Sequence, residues 1–162
     1  MIAPKTRVFI PIALTLLLTD CASKRLAVEH LVLHQPRPVV DDLLKLTLTY
    51  NKGAALGTSL GPYSRVGFSL IAIVMLVVLV RILRETPPDD RWTGAALALV
   101  CGGALGNLVD RLRSPSGVVD FIDVGVGAHR FWIFNVADIG VSVGAATLAF
   151  LLWRRGEPQQ SG

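Results

Sequence analysis

Charged residues are scarce in this chain, and cysteines, histidines and aromatics are scarcer still. Asp, Glu, Lys and Arg make up 17% of its 162 residues, against about 25% in soluble domains. Apolar residues fill the deficit at 52%, and the mean hydropathy is +0.55. A soluble domain of this length buries a good core without so apolar a composition. The net charge is only +4. The basic residues gather at the ends of apolar runs, with no stripe interleaved with aromatics, which suits a membrane interface and gives nucleic acid no footing. The two cysteines, Cys21 and Cys101, both lie in apolar stretches. Without CxxC or Cys/His spacing they argue against a metal site and read as small buried thiols. His30, His34 and His129 show neither a nucleophile nor a ligand pattern and read as surface residues.

What is present in quantity is long apolar sequence. A bilayer core of roughly 30 Å needs about 20 mostly apolar residues per helix. The segments Arg7–Val28, Tyr63–Leu83, Trp92–Leu112 and Ile133–Trp153 qualify, so the expected class is an all-α membrane protein of four spans. Lys5 and Arg7 before the run Val8–Leu18 imitate a secretory signal. Leu18-Thr19-Asp20-Cys21 even hints at a lipoprotein cleavage site, but Asp20 stands where such a site needs a small residue. The segment therefore reads as a retained first span. Trp92 and Trp153 flank spans as interfacial aromatics. Between spans one and two, Leu43–Tyr50 alternates partly between apolar and polar residues, the period of a strand or half a hairpin, and Asn51-Lys52-Gly53 is a turn signal. A second polar connection covers Arg113–Arg130. The whole chain, 1–162, reads as one membrane domain, with segments at about 29–62 and 113–130 outside the bilayer. Both termini share a side with the short loop, and that side carries Lys5, Arg7, Arg81, Arg84, Arg91, Arg154 and Arg155. Raw Lys and Arg counts favour the opposite side, but their density places the termini in the cytoplasm.

Antiparallel alternation brings the polar residues of the spans to one level. Asp20 and Lys24 lie late in span one, Asn107, Asp110 and Arg111 late in span three, and Asn135 and Asp138 early in span four. Residues three and four apart share a helix face, which groups Asp20 with Lys24, Gly103 with Asn107 and Asp110, and Asn135 with Asp138. Ala98, Gly102 and Gly106, and Gly140 with Gly144, let helices approach closely. Asp138 is expected several residues inside its span among apolar neighbours, where a carboxylate needs a partner or a wet cavity. A structural ion pair with Arg111 or Lys24 would satisfy it. So would a second carboxylate, if Val118-Val119-Asp120-Phe121-Ile122-Asp123 folds onto the mouth of the bundle. Two close carboxylates share a proton and activate a water against a carbonyl. Asp120 and Asp123 both qualify at this point. A small proton-coupled transporter would also want intramembrane carboxylates, but the polar set lies at one level with no polar path through the other half.

Five motifs in register carry a resemblance. They are Asp20 with Lys24; Asn51-Lys52-Gly53-Ala54-Ala55; the run Gly102-Gly103-Ala104-Leu105-Gly106-Asn107-Leu108-Val109-Asp110-Arg111; Val119-Asp120-Phe121-Ile122-Asp123; and Phe134-Asn135-Val136-Ala137-Asp138. With them the chain resembles the bacterial lipoprotein signal peptidases, or signal peptidase II. The resemblance implies a monomeric aspartyl endopeptidase of the bacterial inner membrane. It would use no cofactor and remove signal peptides from prolipoproteins whose cysteine already carries diacylglycerol, at the outer face. It implies four transmembrane helices, a small extracytoplasmic β-sheet cradle and a short outer helical segment. By motif position Asp120 and Asp138 would be the catalytic pair. Asn51, Asn107, Arg111 and Asn135 would bind substrate backbone or hold the pair, and Asp20, Lys24, Gly53 and Asp110 would give structural support. Cys21, Leu56 and Ile139 depart from the family's usual residues without removing a catalytic group.

Overall fold

The computed structural model describes residues 3–53 and 61–156. Its helices are α1 (Pro4–His30), α2 (Ser64–Glu85), α3 (Arg91–Arg113) and α4 (Val136–Gly156), and all four are long and apolar enough to cross a membrane. At 1.5 Å per residue, α2 to α4 run about 32–35 Å, close to a hydrocarbon core of roughly 30 Å. At about 40 Å, α1 overshoots by some two turns. The strands are β1 (Arg37–Val40), β2 (Leu44–Asn51), β3 (Val118–Val126) and β4 (His129–Arg130). They form one antiparallel sheet in the order β1-β2-β3-β4. The expected strand over Leu43–Tyr50 is thus β2, paired in a hairpin with β1. The polar connection between α3 and α4 is also strand. Among the described residues outside the four spans, the helical content is one turn at Gly61–Tyr63.

The third helix is the hub. Ala96, Leu97, Ala98, Val100, Cys101 and Leu108 of α3 are buried, whereas Leu70, Val74 and Val77 of α2 are more than half exposed. Such a face is unsuited to water and natural against lipid. Glycines set the helix spacing. Gly102 packs on Ala13, whose carbonyl oxygen would stand 2.8 Å from an added Cβ, and Gly106 packs on Asp20. The Gly102–Gly106 row therefore serves the contact with α1. The contact with α4 is made one residue round the helix by Gly103, which abuts Ala137 and Val141, and by Gly144 of α4, which abuts Ala96 and Val100.

Both ends of the bundle are fastened by polar side chains. Asp90 caps α3, accepting from the Thr93 N–H at 3.0 Å, and Arg155 at the end of α4 pairs with it. Lys5 of α1 donates to the carbonyls of Leu83 (2.6 Å), Arg84 (3.2 Å) and Thr86. A cation thus meets the last, otherwise unpaired carbonyls of α2, where the helix dipole is negative. At the sheet end, Arg130 grips Asp123 through side chain and backbone, both at 2.8 Å, and Thr47 donates to the same carboxylate at 2.8 Å.

Candidate active site

The site lies where the sheet meets α1, α3 and α4. Two pairings fix the strand that carries Asp120. On one side β2 sets Thr49 opposite Asp120 and Asn51 opposite Val118. On the other, Ile122 exchanges hydrogen bonds with Phe134, at 2.8 and 3.0 Å. The apolar run from Ile133, expected to begin the fourth span, is therefore extended up to Asn135, and α4 starts at Val136. Asp138 consequently sits in the first turn of α4 rather than several residues inside the helix.

Asn135 and Asp138 do not share a helix face as their spacing suggested. Asn135 is the N-cap: its Oδ1 accepts from the Asp138 N–H at 3.0 Å, and its own N–H donates to Asp138 Oδ2 at 3.1 Å. This is a reciprocal capping box, and it holds a carboxylate at the positive end of a helix. Another N–H of that turn without a partner inside the helix, on the buried Ala137, donates to Asp20 Oδ1 at 2.9 Å. A carboxylate from α1 thus finishes the cap of α4, a contact that sequence separation hides.

The amide of Asn135 then reaches across to the other aspartate. Its Nδ2 donates to Asp120 Oδ1 at 2.6 Å, with Asn107 Oδ1 at 3.1 Å and the Val119 carbonyl at 3.3 Å also in range. Asn135 is fully buried and Asp120 is 3% exposed. Asn51 also hydrogen-bonds Asp120 through its side chain, while its Oδ1 accepts from the Gly53 N–H at 2.9 Å. Burial pushes the Asp120 carboxyl up to about 6, and the nearby Asp138 charge adds to it; the bonds from Asn135 and Asn51 and the Lys24 charge pull the other way.

Asn107 is the second amide in the cluster. Its Nδ2 donates to Asp138 Oδ1 at 2.8 Å. Its Oδ1 accepts from Lys24 Nζ at 2.9 Å. Lys24 also pairs with Asp20 at 2.7 Å and Asp110 at 3.0 Å, and Asp110 accepts from the Val119 N–H at 3.2 Å, at the start of β3. A reversed Asn107 amide would aim its NH₂ at an ammonium, so Lys24 decides which end of that amide meets Asp138. Arg111 is half-buried, donates from Nη1 to the Asn107 carbonyl at 3.1 Å, and lies in the field of Asp120, Asp138 and Asp110.

All ten residues singled out from the sequence therefore fall in one connected region. Asp123 does not join them. In a strand, residues three apart point to opposite faces, and Asp123 is occupied by Arg130 and Thr47. Of the three departures, Cys21 is half-buried and Ile139 is exposed. Leu56, like Ala54 and Ala55 of the second motif, lies outside the described residues.

Comparison with known proteins agrees with this architecture. A family model described as signal peptidase (SPase) II matches residues 12–154. The lipoprotein signal peptidase of Syntrophotalea carbinolica is 38% identical over 156 residues, 96% of either chain. That of Pseudomonas fluorescens is 40% identical over 146 residues, 88% of this chain and 85% of its own. A bacterial membrane enzyme solved by the in meso method at 2.3 Å resolution superposes with a TM-score of 0.83 at 28% identity, over 94% of this chain and 93% of that one. Four apolar helices, a small sheet and a sequence match running through both make this multi-pass membrane protein a member of the signal peptidase II family.

Proposed function

We propose that this peptidase removes signal peptides from prolipoproteins bearing a diacylglyceryl-modified cysteine, with Asp120 and Asp138 as an aspartyl dyad. The observation that carries the reading is the placement of Asn135, one residue bound to both carboxyl groups, to Asp120 by its side-chain amide and to Asp138 by its backbone N–H. The environments of the two aspartates divide the labour. Asp138 accepts two N–H groups at a helix N-terminus and acts as the charged base. Asp120, buried and pushed up to about 6, carries the proton.

A water between them attacks the scissile carbonyl carbon as Asp138 takes its proton. The Asp120 hydroxyl gives its proton to the developing oxyanion. When the C–N bond breaks, Asp138 returns its proton to the leaving amine of the lipidated cysteine, and the second hydroxyl of the intermediate restores the proton of Asp120. No cofactor takes part. Asn107 and Asn135 are committed to the two carboxylates, so their part is to orient the dyad more than to grip substrate. Arg111, whose Nη1 has its own helix carbonyl as acceptor among the described residues, supplies N–H groups to the substrate backbone. Asp20, Lys24, Gly53 and Asp110 hold these groups in place.

The sheet end is assigned to the outer face of the bacterial inner membrane, with both termini in the cytoplasm and the chain acting as a monomeric single domain. A signal peptide is an apolar helix whose cleavage site emerges at that interface, and the lipid chains staying in the bilayer would fix the scissile bond. No nucleic acid enters this scheme, and the proton-coupled transporter has no support in the site or in the family. The test is incubation of purified protein with a diacylglyceryl-modified prolipoprotein. Wild type should release the signal peptide, and Asp138→Asn and Asp120→Asn should fold but leave it uncut. Normal processing by either variant would refute the dyad, and equal processing of an unlipidated precursor would refute the role of the lipid.

A further inference from the structure

Phe68 carries no motif and no charge, yet its ring meets two of the site's residues at once. It belongs to α2. Gly53, at the end of the turn after β2, has φ +122, and a Cβ there would overlap Cδ2 of the Phe68 ring and lie 2.8 Å from Cε2. The same ring lies under the Arg111 guanidinium, whose central carbon is 5.9 Å from the ring centroid. Arg111 needs such a neighbour. Its Nη1 bonds to a carbonyl of its own helix at 3.1 Å, and its buried Nε has no acceptor among the described residues. A long side chain tied at one nitrogen can swing about its remaining bonds. An aromatic face attracts the cation and restricts it to one plane.

We infer that Phe68 is a positioning residue: its ring holds the Arg111 guanidinium toward the two aspartates. Glycine is required at position 53 because the ring edge occupies the place of a side chain there. Gly53 donates to Asn51 and Asn51 holds Asp120. The ring therefore links the strand end that steadies one aspartate to the arginine that faces both.

The inference rests on the peptidase reading and is tested on cleavage of a lipidated prolipoprotein. Phe68→Leu keeps most of the volume and removes the π face, and should lower kcat/KM about three- to tenfold, the range of a cation–π contact at a partly buried site. Phe68→Tyr keeps the face and should stay within about twofold of wild type. In an Arg111→Gln background, Phe68→Leu should cost nothing further, because the cation it positions is gone. Three results would each overturn the role: wild-type activity in Phe68→Leu, an equal loss in Phe68→Tyr, or a Phe68→Leu loss that multiplies in full on Arg111→Gln. If Phe68→Leu fails to accumulate in the membrane, Phe68→Met carries the same expectations. A wild-type protein that leaves the substrate uncut would instead sink the peptidase reading itself.

Discussion

Replacing Asp120 with asparagine should stabilise the protein at pH 8 and change it little at pH 4, while abolishing cleavage. Asp120 is 3% exposed, and its carboxyl is pushed from 3.8 up to about 6 by burial first and the Asp138 charge second. Between those values the folded chain binds a proton that the unfolded chain has released. Stability from this group is therefore complete below the unfolded value and falls as pH rises through the folded one. About two pH units at 1.36 kcal/mol each make the cost of charging Asp120 close to 3 kcal/mol at pH 8. At pH 4, close to the unfolded value, the same arithmetic leaves less than about 1 kcal/mol. Asparagine imitates the protonated acid, neutral and with an Oδ1 that still accepts from Asn135. Thermal unfolding in detergent, followed by circular dichroism at several pH values, should place Asp120→Asn roughly 6–12 °C above wild type at pH 8. The gap should close toward pH 4. A variant less stable than wild type at pH 8, or a difference that does not vary with pH, would refute the reasoning.

Two other outcomes follow from the same geometry. Because Asp120 must carry a proton in the proposed reaction, kcat/KM should fall about tenfold per unit above an apparent value near 6 in the free enzyme; a flat profile from pH 5 to 8 would count against the division of roles. Lys24→Met leaves the buried Asp20 and the half-buried Asp110 without their cation and frees Asn107 to turn over. It should cost about 3–5 kcal/mol in stability as well as activity, and adding Asp20→Asn should recover part of the stability; no recovery in the unfolding transition would show the pair is not coupled.

The composition and the length of the apolar runs determined that this chain folds in a membrane as four helices, because only satisfied backbone survives in hydrocarbon. Helix alternation determined that Asp20, Lys24, Asn107, Asp110, Asn135 and Asp138 share one level. Motif order pointed to the family. Periodicity left open whether Asp120 or Asp123 faces Asp138, since both lie in the same short segment. Motif position chose Asp120, and the tertiary structure supplies the physical reason by making that segment a strand, whose alternation sends the two side chains to opposite faces. Hydropathy likewise ran the fourth span back to Ile133, because apolar residues look the same in a helix and in an extended segment bridged to a strand. The pairing of Phe134 with Ile122 ends the extended chain at Asn135 and turns that residue into a cap. The contacts that orient the site are Asp20 on the Ala137 N–H, Lys24 on Asn107 and Phe68 against Gly53 and Arg111. Each joins residues far apart in the chain, and no local pattern records them. The sequence marked both aspartates; their different surroundings, one buried beside amides and one at a helix N-terminus, exist only in the fold.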